Sequence, residues 1–206
     1  MDIESPVPSA PQAGRSDRVT RTRDAIVSST LSLAQEGTVA PIVRDIAKLA
    51  GVSARTVFQH FADTAELYVA VLDRVLSGVT SPAPGFSRQL PLDQRIAAVV
   101  GDRAERYEKV RPMWTFIETL QQRSTEAATR LVGLYSGNRH QLAESFGPEL
   151  SALPDERREH ALNAVTATLT PESWIVLRER LGLTVEQARE EWRFLAQVIF
   201  SDRPDR

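Results

Sequence analysis

The stretch IVRDIAKLAGVSARTVFQHF, residues 42–61, sets two short amphipathic runs on either side of a single glycine. No other segment constrains the fold as tightly. Val43, Ile46, Ala47 and Ala50 recur at three- and four-residue steps and leave Arg44, Asp45 and Lys48 on the opposite side, the pattern of an amphipathic helix. Pro41 stands at the start of that helix, where its missing N–H costs little. Gly51 breaks it, because glycine tolerates the backbone of a sharp turn. Val52 is expected to plug inward, and Ser53 is placed to cap a third helix of about eight residues. Val57, Phe58 and Phe61 are read as its inner face, which leaves Ser53, Ala54, Arg55, Thr56, Gln59 and His60 pointing outward. A helix this short has little stability of its own, so the apolar clamp has to hold it.

The flanks read as helix too. From about Asp17 to Glu36, Ile26, Thr30 and Leu33 alternate with Val27, Leu31 and Ala34 to form a wide apolar stripe that Gly37 ends. A fourth helix opens at Asp63 or Thr64 and runs to about Val79, with Leu67, Val71, Leu72 and Val75 as its stripe. Residues 1–16, rich in Pro, Ser and Ala and without a period, are expected to be a disordered arm. SGVTSPAPGFSRQLP, residues 77–91, is the clearest boundary. Beyond it, helices are expected over about 92–109, 111–122, 125–146, 155–181 and 184–200, with Pro171 kinking the fourth of these. No run alternates well enough for a strand, and no repeat is present. The fold class is all-α: an arm (1–16), a helix-turn-helix head of three helices (17–62), a connecting helix (63–79) and a larger helical domain (80–206).

Composition narrows the function. The 206 residues are 42% hydrophobic and 25% charged, as in ordinary globular proteins. With no cysteine, disulfides and thiolate metal sites are excluded. No apolar run approaches the roughly 20 residues of a membrane span. The opening MDIESPVPSAPQAG lacks the basic start and apolar core of a secretory signal, so a cytoplasmic protein is expected. His60, His140 and His160 form no zinc frame, and no glycine-rich phosphate loop occurs. Glu156, Glu159 and His160 read as a solvated helix face with Arg157 and Arg158. No cofactor, metal site or enzymatic activity is expected. The net charge of −2 argues against a polyanion partner for the chain as a whole, but residues 15–61 hold seven Arg or Lys against four Asp or Glu. A basic head on an acidic body is the charge pattern of a nucleic-acid reader.

The spacing of the second and third helices is that of a helix-turn-helix. The major groove of B-DNA is about 12 Å wide and admits one helix. Eight residues at 1.5 Å each span about 12 Å, enough to lay the N-terminal half of the third helix across a few base pairs. Arginine pairs in bidentate fashion with guanine and glutamine with adenine, which suits Arg55 and Gln59. Ser53 and Thr56 suit phosphate oxygens or a thymine methyl. His60 fits a phosphate contact or a packed imidazole beside Phe61 equally well. Arg15, Arg18, Arg21 and Arg23 read either as a solvated helix start or as phosphate or minor-groove contacts of a mobile arm.

RDAIVSSTLSLAQEG, followed by IVRDIAKLAGVSARTVFQHFADTAELYVAVL, resembles the DNA-binding domain of TetR-type transcriptional regulators over about residues 18–75. SWIVLRERLGLTVEQAREEW, residues 173–192, is similar to the junction of that family's last two helices. Residues 85–160 match only in helix count and order. The resemblance implies an Ω-like homodimer in which each protomer carries one reading head. Its larger domain would hold a small-molecule pocket, and its last two helices would pair with the partner's in a four-helix bundle. The chain departs from the family where a Thr is common at Ile42, a Tyr at Phe58 and a Lys at Thr64, all positions that commonly touch phosphate. Thr64 is kept among the DNA contacts on that basis, and Arg44, Lys48, Arg55 and the arm arginines are the compensating cations.

In the larger domain, Tyr107, Met113, Trp114, Ile117, Tyr135 and Trp174 are the candidate lining of a pocket for a hydrophobic or aromatic effector. Aromatics at this spacing also serve as plain core. Leu177, Leu181, Phe194, Leu195 and Val198 are the candidate dimer face, more apolar than a lone protomer's surface should be. The function expected is sequence-specific repression from a palindromic operator, relieved by the effector. The competing reading is a docking or ligand-sequestering module of the same fold that has lost DNA binding.

Overall fold

The structure, a computed structural model, describes residues 12–79 and 90–201, the side chains of 12–15 excepted. The described residues form helices and no strand. The order is α1 (Gln12–Gln35), α2 (Val43–Leu49), α3 (Ala54–His60), α4 (Thr64–Val79), α5 (Leu92–Val110), α6 (Trp114–Arg123), α7 (Thr125–Ser145), α8 (Gly147–Ala152), α9 (Asp155–Thr168), α10 (Pro171–Ile175) and α11 (Val185–Phe200). A 3₁₀ turn, Arg111–Met113, joins α5 to α6, and a π-helical turn, Val176–Arg180, extends α10. In the head, α1 packs on α2 and α4, and α2 packs on α3. In the body, α7 touches α4, α6, α8 and α9, while α11 lies against α5 and α9. α4 joins the two. Its Leu67, Val71, Leu72 and Val75 are buried in an apolar cluster that runs from Ile26 in α1 to Ala196 in α11. Head and body also meet where the 3₁₀ turn touches α1.

Local chemistry accounts for most helix ends. Gly37 has φ +91° just past α1. α7 starts at Ser124, whose hydroxyl accepts from the Ala127 N–H. α11 starts at Thr184 with a capping box, since the Thr184 hydroxyl accepts from Gln187 N–H at 3.3 Å and Gln187 Oε1 accepts from Thr184 N–H at 2.9 Å. On α11, Ala188 and Ala196 flank Trp192 at four-residue steps, and all three are fully buried. The small residues let the helix approach α5 and α9 closely around the indole.

Several expectations change. α1 begins at Gln12, so residues 12–16 are helical rather than part of an arm; residues 1–11 lie outside the described residues, as do 80–89, the greater part of the expected boundary. Pro41 precedes the N-cap of α2 instead of starting the helix. The helix expected over 155–181 is divided. Proline has no N–H to give to the preceding turn, so Pro171 opens a new helix, capped by the Thr170 hydroxyl on Ser173 N–H at 3.2 Å. α8 was not expected; Pro148 lies in its first turn, where a proline is tolerated.

Candidate DNA-reading interface and the body behind it

The turn between α2 and α3 is built from backbone hydrogen bonds. Gly51, at φ +67°, donates to Lys48 O at 3.3 Å, and Val52 N–H donates to Ala47 O at 3.0 Å. This is the Schellman pair that closes a helix through a left-handed residue. Ser53 then caps α3, its hydroxyl accepting from Thr56 N–H at 3.0 Å. The Ser53 and Thr56 hydroxyls also bond each other at 2.8 Å, so both expected DNA contacts spend much of their capacity within the helix.

Val57 and Phe61, one turn apart, form the inner face of α3 at 1% exposure each, and Val52 packs beside them. Phe58 does not join them. It is 52% exposed, which corrects its assignment to the clamp. The physical reason is the helical angle: position 58 lies about 100° round from 57, on the exposed flank beside Arg55 at i−3. Ala54, Arg55, Phe58 and Gln59 are exposed; Thr56, His60 and Thr64 are half-buried. Arg44 and Lys48 are exposed on α2. Among the described residues Arg44 pairs with its neighbour Asp45 alone, at 3.2 Å with an 82% exposed side chain, an ion pair weak enough to release the guanidinium.

Arg23 is the head residue that sequence reasoning misplaced. It belongs to no arm. Its guanidinium lies 4.0 Å over the Phe61 ring, donates to His60 O at 2.6 Å and reaches Glu66 at 3.4 Å. One side chain thereby pins the C-terminal end of α3 to α1 and α4. Arg18 and Arg21 are likewise helical and exposed. α2 has the opposite weakness: its N-cap, Ile42, offers no side-chain bond and is 51% exposed.

With this surface in view, the comparisons show what the head and the fold are similar to. Residues 26–71 match the model of the bacterial regulatory proteins of the tetR family. That stretch holds α2 and α3, so the match covers the helix-turn-helix head of the chain. Three solved structures share the fold of the chain. A tetR-family transcriptional regulator from Streptomyces coelicolor is 18% identical over 86% of this chain and 80% of its own, with a TM-score of 0.66. A transcriptional regulator from Rhodococcus sp. Rha1 is 15% identical over 88% and 95%, with a TM-score of 0.66. A TetR transcriptional regulator from Rhodococcus sp. RHA1 is 20% identical over 86% and 96%, with a TM-score of 0.50. No curated protein matches the chain.

In the body, the six candidate pocket residues are spread over several contacts. Tyr107, Met113, Trp114, Ile117 and Trp174 are buried and Tyr135 is half-buried. Trp192 stacks at a tilt on Trp174, 4.7 Å between centroids, and meets Tyr107 edge-on at 6.1 Å. The polar ends are satisfied within the chain. Tyr107 Oη accepts from Arg103 at 3.1 Å and Asn138 at 3.3 Å, and burial pushes this phenol up. Tyr135 Oη donates to Glu172; burial first and that carboxylate second push it up as well. Trp174 Nε1 donates to Glu108 at 2.9 Å, and Trp192 Nε1 to Ser173 at 3.1 Å.

Two buried arginines organise this interior. Arg103 donates to the carbonyls of Leu169 (2.9 Å) and Asn138 (3.3 Å), tying α5 to α9 and α7. Arg95 forms an ion pair with Glu149 and donates to Ser145 O at 2.8 Å. Neither was visible as a core residue in the sequence, where arginine is the mark of a solvated face. Of the candidate dimer residues, Leu177 is 9% exposed and packs inside its own protomer, a correction. The π-helical turn puts it on the inner side, next to Trp174. Leu181, Phe194, Leu195 and Val198 remain exposed. Among the described residues, no group of three or more His, Asp or Glu is placed to hold a metal, and no helix is long and apolar enough to cross a membrane.

Proposed function

We propose that this regulator is a homodimeric repressor that reads a palindromic operator with the outer face of α3 and leaves it when a small hydrophobic or aromatic molecule binds the body. The observation that carries the reading is the exposed row of Arg55, Phe58 and Gln59 on a helix held from behind by Val57, Phe61 and Arg23. Arg55 and Gln59 supply donors for guanine and adenine edges, and Phe58 supplies apolar contact for a thymine methyl. Arg44 and Lys48, with Ala54 and the half-buried Thr56, His60 and Thr64, flank this row and serve the sugar-phosphate backbone. The family acts as dimers, binds operator DNA and answers small effectors. Two heads related by a two-fold axis sit about 34–36 Å apart or more when they read one face of a duplex.

Release then needs no chemistry. An effector that favours another head separation shifts the population from the DNA-competent form. Tyr107, Met113, Trp114, Ile117, Tyr135 and Trp174 remain the proposed contacts. Met113 ends the 3₁₀ turn that touches α1, a direct mechanical link from this region to the head. Leu181, Phe194, Leu195 and Val198 are the proposed dimer face. A cytoplasmic location goes with this role.

The test is a DNA titration at low and moderate salt against the region upstream of the gene. Arg55→Ala should weaken a cognate duplex by about 1–3 kcal/mol while changing a scrambled one little. An equal loss on both would assign Arg55 to phosphate. No binding by the wild-type protein at either salt would favour the docking-module reading, towards which the three departures at Ile42, Phe58 and Thr64 point.

A further inference from the structure

A cavity of about 180 Å³ lies between head and body. Its walls come from three places: Val39 in the loop leading to α2, Thr64 and Tyr68 at the start of α4, and Phe116 and Arg123 on α6. None of the six candidate effector residues lines it. Tyr68 and Phe116 meet edge to face at 5.4 Å and form an aromatic floor. The Tyr68 hydroxyl donates to Pro41 O at 2.5 Å, which leaves its oxygen lone pairs as acceptors only. Arg123 lines the same cavity as Tyr68; burial raises the Tyr68 phenol, and the Arg123 charge opposes that rise. Arg123 makes no hydrogen bond or ion pair among the described residues, and neither does the Thr64 side chain.

The cavity thus pairs an aromatic, apolar interior with an uncommitted cation and an uncommitted hydroxyl at its wall. Arginine forks bind carboxylates through two parallel hydrogen bonds. The volume is below the roughly 300 Å³ at which drug-sized sites begin, so the occupant is small. We propose that this cavity is a ligand site for a small aromatic carboxylate of benzoate size, its ring against Tyr68 and Phe116 and its carboxylate on Arg123. The walls belong to both the head and the body, so a bound molecule bears directly on how the head sits.

Benzoate is the probe, titrated calorimetrically into the full-length protein without DNA, so the outcome is independent of what α3 reads. One saturable site per chain, with dissociation below about 5 mM, is expected. Arg123→Gln should weaken it about tenfold or more by removing the charged partner. Ala65→Phe, which fills the cavity from α4 and leaves the charge in place, should abolish it. Benzoate affinity unchanged from the wild type in either folded variant overturns the proposal, as does the absence of saturable binding to the wild type. Benzamide tests it with no variant: it has the same shape without the charge and should bind about tenfold more weakly to the wild type. Equal affinities for the two probes would overturn the assignment of Arg123.

Discussion

Ile42 and Ser53 occupy equivalent positions at the starts of α2 and α3, and only Ser53 caps its helix. Ile42→Thr should therefore stabilise the head by about 1 kcal/mol, since a threonine oxygen at an N-cap accepts a first-turn N–H that isoleucine leaves bare. An unchanged melting temperature would show that the end of α2 is satisfied by water at no cost. The two phenylalanines of α3 offer a sharper contrast. Phe61→Ala should cost about 3–5 kcal/mol, the usual range for a fully buried aromatic, and it also removes the platform under Arg23. Phe58→Ala should leave denaturant unfolding nearly unmoved and appear in DNA titrations instead. The spacing of Val57 and Phe61 already contains this distinction. A single i,i+4 pair suffices for the inner face of a two-turn helix, so the third apolar residue has to point elsewhere.

The π-helical turn after α10 brings Arg178 onto Glu108, with contacts of 3.1 Å from Nε and 3.1 Å from Nη2. Trp174 and Arg111 reach the same carboxylate at 2.9 and 3.0 Å. Burial alone would raise Glu108, but these donors and their charges outweigh it and hold the group at about 2. A carboxylate depressed in the folded state contributes stability above its unfolded value, and that contribution is lost as pH falls through the folded one. The stability difference between wild type and Glu108→Gln should thus be largest at neutral pH and shrink between about pH 4.5 and about pH 2. A difference independent of pH would mean that the charge is irrelevant and only packing counts. At the other turn, Gly51→Ala should cost about 1–2 kcal/mol, because a side chain at φ +67° is strained even where space is open. The glycine of this turn was legible from the sequence; the π-helical turn was not, since nothing in VLRER distinguishes it from an ordinary α-helical turn.

The exposed row on α11 and the preceding turn concerns the entire assembly. Phe194 is 59% exposed, Val198 54% and Leu181 62%, while the opposite face of α11 is sealed by Trp192 and its flanking alanines. Replacing Phe194 and Val198 together by Glu should yield monomers in light scattering without lowering helicity, and operator affinity should fall with the loss of the second head. Dimers that persist would place the interface elsewhere. What the amino-acid order alone made readable is what depends on neighbours within about four positions: the glycine turns, the Ser53 and Thr184 starts, the amphipathic stripes and the helix-turn-helix spacing. Those features need only local hydrogen bonds and the 3.6-residue period. Packing between distant segments decided the rest. Arg23 finds the ring of Phe61 and the carbonyl of His60 across 37 positions, Arg178 finds Glu108 across 70, and Leu177 turns inward while Leu181 stays out. Such outcomes depend on which distant surface satisfies a buried charge or fills a gap, and no short-range pattern carries that information.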